Sequence, residues 1–254
     1  WSGIALACWP ALAFFIKLFA KPVARTSANL HHLVVMAIFG SAIALTLATS
    51  GAELLYATLY AGLVGVGGSI AYIFWYSRLG RSANVLLENG KTLPKFSLKT
   101  LQGDTWDSSS LSKHPALMLF FRGNWCPLCM AQIKEVSEHY RALESMGIKV
   151  YLVSPQPEAN TRSLAGKFKV NFHFMIDEDN NAAKILGIDS QHGTPKGLEV
   201  LGYDSDTVLP TAILTDREGK IIFSDQTDNY RLRPEPETFI EIFSQYEAGI
   251  DSTT

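Results

Sequence analysis

The sequence has few charged residues near its amino-terminal end. Only five residues among the first 80 are charged, namely Lys17, Lys21, Arg25, Glu53 and Arg78. The rest of the chain has about one charged residue in four, which is ordinary for a soluble domain. Because the first part is too apolar to form a layer of that domain, we exclude both a single globular domain and a fully disordered chain.

The sequence also lacks a basic block or stripe. Residues 1–80 carry a net charge of +3, and the total of −2 therefore leaves −5 for the remainder. Proteins that bind nucleic acids concentrate Lys and Arg on one face, and this chain shows no such concentration. We therefore exclude nucleic acid as a partner.

Cysteine is scarce, with three residues in all, and only Cys126 and Cys129 lie beyond residue 80. A zinc site built on Cys-x-x-Cys needs a second pair or suitably spaced histidines. The histidines of this region show no paired spacing; they are His114, His139, His173 and His192. We predict no metal and no other cofactor. Two structural cysteines without a redox role would leave the neighbouring Trp125 and Pro127 unexplained.

Three long apolar runs occupy the first part, at about residues 4–20, 33–50 and 54–76. Each approaches or exceeds the roughly 20 residues that cross a hydrocarbon core. The first run lacks a basic leading segment and a clear cleavage site, which favours a span over a signal peptide. We predict that residues 1–80 form an anchor of three transmembrane helices, with membrane lipid as a partner.

The orientation of this anchor follows from the basic residues of its short loops. Lys17 lies near the end of the first run and Lys21 and Arg25 lie between it and the second, whereas Arg78 and Arg81 follow the third. Two spans separate these basic segments, so they share one side of the membrane. The positive-inside rule assigns that side, and the domain that follows, to the cytoplasm.

The third run contains a row of small residues, Ala61, Gly65 and Ser69, at a spacing of four. Such a row lets a second helix approach closely. We interpret it as packing among the three helices of the anchor in preference to a dimer interface.

Beyond a connector at 81–93, apolar runs alternate with helical patterns in a domain at 94–248, which a tail at 249–254 follows. Strands are predicted at 116–121, 149–153, 172–176, 211–215 and 221–224, and helices at 130–146, 158–168, 181–186 and 237–246. This alternation predicts an α/β layered fold that ends in an antiparallel hairpin. The irregular segment 189–210 is either a functional flap or a surface insertion.

The most specific motif is Arg122-Gly123-Asn124-Trp125-Cys126-Pro127-Leu128-Cys129, where a buried strand is predicted to meet a helix. The free N–H groups and positive partial charge of a helix N-terminus stabilise a thiolate at Cys126. A thiolate is the nucleophile toward both disulfides and peroxides. Cys129, one helical turn later, can close a disulfide with Cys126.

These residues, with Leu209-Pro210-Thr211 before a later strand and Gly219 in the next turn, resemble the thioredoxin fold. The longer pattern, which adds Pro94–Leu98 and Gly103, resembles the alkyl hydroperoxide reductase/thiol-specific antioxidant group of peroxiredoxin-like redoxins. The resemblance covers about 93–248. It implies that Cys126 matches the peroxidatic cysteine and that Pro210 is cis and lies beside the active cysteines.

The chain departs from these patterns at three positions. Typical peroxiredoxins have Thr or Ser where this chain has Gly123, and an Arg where it has Pro210; thioredoxins have a buried Asp where it has Phe120. Arg122, Arg231 or Arg233 could replace the missing arginine. For the latter two we expect surface ion pairs with Glu235 and Glu237 instead, and we expect Glu135 to lie on a solvated helix face.

The resemblance implies a membrane-anchored, thiol-dependent oxidoreductase that reduces a hydroperoxide or a disulfide and is recharged by a thiol donor. Cys126 and Cys129 are its predicted catalytic residues, supported by Trp125, Pro127, Arg122, Pro210 and Thr211. One alternative is a protein thiol–disulfide oxidoreductase for membrane or envelope proteins. Another is a non-catalytic redox sensor that signals through the helices.

Overall fold

The computed structural model describes residues 1–27 and 29–249. The chain forms two compact units, each described by itself below. The first comprises Trp1–Gly80 and Asp228–Leu232; the second comprises Arg81–Thr227 and the segment that begins at Arg233. The predicted tail lies outside the described residues except for Gly249.

The first unit is helical. Its helices are Ser2–Ala20, His31–Thr46 and Gly51–Tyr76, the last with π-helical turns over Ala57–Gly67 and Ala71–Tyr76. The first and third are long and apolar enough to cross a membrane, whereas the second has only 16 residues. Two of the three predicted spans thus correspond to helices that are long and apolar enough to cross a membrane, and three spanning helices are not confirmed.

The second helix ends early because the residues that follow it form a polar turn. Thr49 donates its N–H and its hydroxyl to a carboxylate oxygen of Glu53, at 2.7 and 2.8 Å. The Ser50 hydroxyl accepts a hydrogen bond from the Glu53 N–H and caps the third helix. The backbone N–H groups of Thr49 and Glu53 thus bond to side chains of the turn, and not to carbonyl groups of a continued second helix.

Small residues let the three helices approach closely. A Cβ on Gly40 would lie 2.4 Å from the backbone nitrogen of Ala7, and a Cβ on Gly65 would lie 3.1 Å from the Ala7 Cβ. Ala61 and Ser69, which flank Gly65 in the small-residue row, are buried as well. The row therefore packs within the helical unit, as the packing interpretation predicts.

The segment Asp228–Leu232 is part of the helical unit, and Arg231 is buried there at 1% exposure. Its guanidinium donates to the Ser77 hydroxyl at 2.8 Å and to the Ser27 carbonyl, and it lies over the ring of Tyr72. The expectation that Arg231 forms a surface ion pair is therefore wrong. The buried guanidinium finds carbonyl and hydroxyl acceptors that the linear sequence does not reveal.

The second unit contains a seven-stranded mixed sheet. Its strands are β1 Ser97–Thr100, β2 Thr105–Asp107, β3 Ala116–Phe120, β4 Lys149–Ser154, β5 His173–Ile176, β8 Thr211–Thr215 and β9 Ile221–Asp225. Their order in the sheet is β2-β1-β5-β4-β3-β8-β9. A separate pair consists of β6 Asp189–Ser190 and β7 Thr207–Val208. Strands β3, β4 and β5 are parallel, while β8 and β9 form the predicted antiparallel hairpin.

Among the described residues, five α-helices accompany this sheet: Pro127–Glu138, Tyr140–Ser145, Glu158–Ala165, Asn181–Ile185 and Pro236–Glu247. The single helix predicted at 130–146 is instead two helices separated at His139, and the first begins at Pro127. His139 leaves helical geometry, with φ −98° and ψ 7°, and its ring Nδ1 lies 3.0 Å from the Glu135 carbonyl oxygen. This side-chain contact accompanies the break between the two helices. The spacing of apolar residues in the sequence does not reveal that break.

Alternate residues of the central strands face two different layers. Met118 and Phe120 of β3 join Tyr151, Met175 and Ile213 in one buried cluster. Their neighbours along the strands face the opposite layer and are buried too. Since β3 is buried on both faces, the site at its carboxyl end is built on a rigid support. The α/β architecture, a mixed sheet flanked by helices, is the predicted thioredoxin-like one.

Candidate redox site

Cys126 and Cys129 lie where β3 leads into the helix Pro127–Glu138, called the cysteine helix below. They form a disulfide, with their Cα atoms 5.3 Å apart. Cys126 is the N-cap residue, and its Sγ accepts a hydrogen bond from the Cys129 N–H at 3.3 Å. Pro127 fills the first helical position, where a missing N–H costs nothing. Cys126 keeps 4% of its exposure and Cys129 only 1%, so Cys126 is the more accessible sulfur.

A single backbone position, Gly123, shapes the turn before the cysteines. Its φ is +150°, which disfavours any residue with a Cβ. A Cβ there would also meet the indole Nε1 of Trp125 at 2.9 Å and a ring carbon of Tyr203 at 3.1 Å. The two aromatic side chains therefore fill the space into which a Thr or Ser hydroxyl would project. Position 123 therefore lacks a peroxide-binding hydroxyl in the sequence, and the packing of Trp125 and Tyr203 leaves no room for one.

Arg122 lies on the Trp125 side of this turn. Its guanidinium carbon is 4.7 Å from the centroid of the Trp125 ring, within the range of a cation–π contact. It also donates to the backbone carbonyl of Gly193, and the Arg122 carbonyl accepts from the Thr207 hydroxyl at 3.1 Å. The predicted supporting residues Arg122 and Trp125 are thus brought together beside Cys126.

The same contacts place the irregular segment 189–210 at the site. Gly193 and Thr207, which bond to Arg122, lie near its two ends, and Tyr203 lies between them. The short β6–β7 pairing closes the base of this segment. Of the two alternatives that the sequence leaves open, these contacts favour a flap tied to the cysteine motif. Burial raises the pKa of the Tyr203 phenol, so this residue is neutral at physiological pH.

A buried polar network that the sequence analysis missed supports the turn. The Gln156 side-chain oxygen accepts a hydrogen bond from the Asn124 N–H at 2.8 Å, and its amide nitrogen donates to the Thr161 hydroxyl at 3.1 Å. The Asn124 side chain donates to the Asn160 carbonyl at 2.9 Å. One signal could have found Gln156: it follows the carboxyl end of β4, and the carboxyl ends of neighbouring parallel strands share an edge.

Pro210 and Thr211 lie at the carboxyl end of β3 because β8 is antiparallel to β3 and pairs Thr211 with Phe120. The Leu209–Pro210 peptide bond is trans, so the expected cis proline is wrong here. The trans form is the preferred one for an X–Pro bond by about 0.5–1 kcal/mol. Arg81 donates to the Thr211 hydroxyl at 2.5 Å and to the Pro210 carbonyl at 3.4 Å.

The third departure, Phe120, and the remaining expected side-chain positions can also be compared with the structure. Phe120, where thioredoxins carry an acid, is buried in the apolar cluster at 2% exposure. Glu135 is half-buried on the cysteine helix, and Glu237, expected to pair with an arginine, pairs with His139 at 2.9 Å instead. Arg233 is buried at 8% exposure, so its expected place on the surface is wrong.

An apolar strand, a helix capped by a cysteine and a second cysteine one turn later form a thioredoxin-like arrangement, which makes this a candidate redox site. Comparison with known proteins agrees with this class. The profile of the AhpC/TSA family matches residues 89–224, more than half of the chain. The chain belongs to the AhpC/TSA family.

The sequence relatives carry two kinds of name. A chloroplastic peroxiredoxin Q of Sedum lineare is 27% identical over 121 residues, which span 47% of this chain and 65% of that protein. The thiol-disulfide oxidoreductase ResA of Bacillus cereus is 24% identical over 137 residues, or 54% of this chain and 68% of that protein. The chain thus spans about two thirds of the length of these relatives.

Solved structures agree on the fold. Peroxiredoxin 6 of Arenicola marina superposes with a TM-score of 0.55 and 10% identity, over 65% of this chain and 75% of that one. AhpC of Mycobacterium tuberculosis superposes with a TM-score of 0.51 and 13% identity, over 66% of this chain and 97% of that one. At such low identity the likeness shows the fold alone.

Proposed function

We propose that the protein is a membrane-anchored thiol–disulfide oxidoreductase in which Cys126 attacks and Cys129 resolves. The observation that carries the proposal is the disulfide itself: it closes across one helical turn, with the more accessible sulfur at the N-cap. A helix N-terminus favours a redox role for the pair, because the free N–H groups there stabilise the thiolate that must form.

The reaction begins from the reduced pair. The Cys126 thiolate attacks one sulfur of a partner disulfide, forms a mixed disulfide and releases the other partner sulfur as a thiolate. The Cys129 thiolate then attacks Cys126 and releases the second partner sulfur. Two electrons pass to the partner, and the Cys126–Cys129 disulfide is the product. A thiol electron donor reduces this disulfide by the same two steps in reverse.

Each supporting residue has a role in this scheme. The Cys129 N–H, 3.3 Å from the Cys126 sulfur, is in place to stabilise the thiolate. Pro127 starts the helix without adding a donor that would need a partner. Arg122 stacks on the Trp125 ring, and this pair holds the turn that immediately precedes Cys126. Pro210 and Thr211 are buried beside the carboxyl end of β3, where they support the strand end that leads into the cysteine motif.

Reduction of a hydroperoxide is the second candidate, favoured by the similarity to peroxiredoxin Q. In that reaction the Cys126 thiolate takes the terminal peroxide oxygen, an alcohol leaves, and the sulfenic acid condenses with Cys129 to give water and the same disulfide. The packing of Trp125 and Tyr203 over Gly123 weighs against it, because no hydroxyl polarises the peroxide there.

The anchor is assigned to residues 1–80 and the redoxin domain to 94–248, with the domain on the cytoplasmic side. Within the helical unit, Arg231 bonds both to Ser27, in the loop after the first helix, and to Ser77, after the third. The two basic loop segments therefore lie at one end of the unit. This arrangement supports their placement on a single side, which the positive-inside rule makes cytoplasmic.

One set of variants of the full chain in detergent tests the reaction. Cys126→Ser is expected to abolish reduction of a small disulfide, whereas Cys129→Ser should accumulate a mixed disulfide that mass spectrometry detects. Cys8→Ser is the matched control, because this remaining cysteine lies in the first helix, and it should change nothing. A Cys129→Ser protein that never traps a substrate would refute the resolving role.

The two candidate substrates are separated by comparing rates on one preparation. We expect the reduced protein to react with hydroxyethyl disulfide at least about tenfold faster, relative to free cysteine, than with hydrogen peroxide. The reverse preference would replace disulfide exchange by peroxide reduction as the function.

A further inference from the structure

A groove runs along the cysteine helix on the surface of the second unit. It has a volume of about 460 Å³ and lies between the exposed face of this helix and the segment Leu164–Val170. This volume is within the range of about 300–1,000 Å³ that is typical of binding pockets.

The groove begins at Met130, one helical turn from Cys126, and follows one face of the helix. Cys126, Met130, Lys134 and Ser137 follow each other at spacings of four and three residues, so their side chains form one row. Met130, the first residue of this row inside the groove, donates its N–H to the Cys126 carbonyl. It lies about 6 Å along the helix axis from Cys126. A polypeptide whose disulfide reaches Cys126 can therefore extend into the groove.

The floor of the groove is apolar and firmly packed. Leu164 is 2% exposed, and Phe168 contacts the rings of Phe172 and Phe174 with centroids 5.9 and 6.4 Å apart. Met130 adds a flexible apolar side chain on the opposite wall. Since Phe168 and Met130 are only half-buried, the floor leaves apolar area for a partner to cover.

The rim is positively charged, although the domain as a whole is acidic. Lys134, Lys167 and Lys169 line it, with Glu138 as the one acidic lining residue. Glu138 pairs with Lys134 at 3.8 Å. Within the described part of the chain, Lys167 and Lys169 have no ion pair. The groove therefore presents two exposed cations to whatever binds it.

We propose that this groove binds a segment of the partner protein that carries carboxylates beside apolar side chains, next to the disulfide exchanged at Cys126. The inference rests on the proposed function and adds the chemistry of the partner. The apolar residues of the segment cover Met130 and Phe168, and its carboxylates face Lys167 and Lys169. Such rim charges act mainly on the rate of association and on its salt dependence.

The test uses the full chain in detergent, reduced beforehand, and two synthetic peptides. Both contain the same intramolecular disulfide followed by two leucines, and they end in three glutamates or three lysines. We expect the protein to reduce the acidic peptide about tenfold faster than the basic one at low salt, and the difference to shrink at 0.5 M NaCl. Equal rates on the two peptides would overturn the proposal.

Charge reversal supplies the second arm. The double variant Lys167→Glu/Lys169→Glu is expected to invert the preference between the peptides. The matched control Lys113→Glu/Lys220→Glu also reverses two exposed lysines, but near the opposite edge of the sheet, where β3 begins and β8 ends. It should leave the preference unchanged. If both double variants shift the rates equally, the net charge of the protein, and not the groove, determines the preference between the peptides.

Uncharged hydroxyethyl disulfide distinguishes failure of the proposed redox function from failure of the proposed groove. If every variant reduces it at the wild-type rate, the redox site is intact and the peptide data report on the groove alone. Failure of the wild type to reduce it would refute the proposed function instead. A change in oligomeric state on charge reversal, with unchanged peptide rates, would show that the groove binds a second copy, and would also overturn the inference.

Discussion

The side-chain oxygen of Gln156 accepts a hydrogen bond of 2.8 Å from the backbone N–H of Asn124, two residues before Cys126. Gln156 is itself 2% exposed, and Thr161 orients its amide from the other side. The turn that presents the redox cysteine is thus fixed by a side chain from the end of the neighbouring strand, β4.

Replacement of Gln156 by Leu should weaken this support. The change keeps the approximate size of the side chain but leaves the Asn124 N–H without its acceptor, which costs about 1–3 kcal/mol when such a group is buried. We expect that loss in the free energy of unfolding, measured by urea denaturation of the reduced protein. We also expect slower disulfide exchange and a raised pKa of the Cys126 thiol, measured by thiolate absorbance.

The exposed Gln102 provides the control for this prediction, because Gln102→Leu makes the same chemical change on a surface loop. It should alter neither stability nor exchange. If Gln156→Leu lowered stability but left the thiol pKa and the exchange rate at wild-type values, Gln156 would be a structural residue with no positioning role.

The turn at Gly123 makes a second prediction. Gly123→Ala introduces a Cβ at a φ of +150° and 2.9 Å from the Trp125 indole nitrogen. Backbone strain of this kind costs about 1–3 kcal/mol, and the clash with Trp125 adds to it. The comparison is Gly103→Ala, where φ is +91° but no atom lies within 4 Å of the new Cβ.

We expect Gly123→Ala to lose more stability than Gly103→Ala in chemical denaturation, and the excess to fall when Trp125 is also replaced by Ala. Equal losses of stability in the two variants would mean that the Trp125 and Tyr203 side chains move aside at no cost in free energy. In that case packing would not explain why the chain lacks a hydroxyl at position 123.

Much of the fold could be predicted because its signals are local. The apolar runs that became β3 and β8 are buried on both faces, so they stand out without any knowledge of their neighbours. The cysteine pair is equally readable, since its spacing alone permits a disulfide across one turn.

Features that depend on distant partners could not be predicted. Strand β1 has a single fully buried residue, Leu98, and forms only because β2 and β5 supply its hydrogen bonds. Arg231 becomes buried because Ser27 and Ser77, more than 150 positions away, provide its acceptors. No window of sequence around either residue contains that information.

Two histidines beside Tyr151 predict how stability depends on pH. His173 stacks on the Tyr151 ring with centroids 4.8 Å apart, and the His114 Nε2 lies 3.4 Å from the Tyr151 hydroxyl. Burial, and then the nearby charge of Lys149, lower the pKa of both histidines. Lys113 acts in the same direction on His114, and each histidine therefore favours its neutral form in the fold.

A lowered pKa in the folded state means that the unfolded chain binds more protons as the pH falls. The contribution of these histidines is fully present above their unfolded pKa of about 6.5 and is lost as the pH falls from there through the folded values. His173→Phe, which keeps the stacked ring, should reduce the loss of stability between pH 7 and pH 5 in urea titrations.

The pKa of His139 is shifted in the opposite direction, and this residue therefore serves as the comparison. The Glu135 carbonyl, and then Glu237, raise its pKa, so its contribution is present below about 6.5 and disappears as the pH rises through the folded value. His139→Gln should therefore steepen the fall in stability on acidification. Identical pH profiles for the wild type and both variants would contradict this assignment.

The orientation of the anchor is the last prediction, and introduced cysteines test it better than Cys126, which is only 4% exposed. We start from the variant in which Cys8, Cys126 and Cys129 are all Ser. Ala52→Cys adds a thiol to the exposed first turn of the third helix, and Lys113→Cys adds one to an exposed position of the redoxin domain. Because a membrane helix separates these positions, a membrane-impermeant maleimide should reach only one of them in intact cells.

The positive-inside rule predicts that the reagent labels Ala52→Cys in intact cells and labels Lys113→Cys only after lysis. The opposite pattern would place the redox site outside the cytoplasm, where an oxidising compartment keeps protein disulfides formed and thiol–disulfide exchange has its substrates. Labelling of both positions before lysis would contradict a membrane-spanning third helix, since Gly51–Tyr76 could then not separate the two thiols.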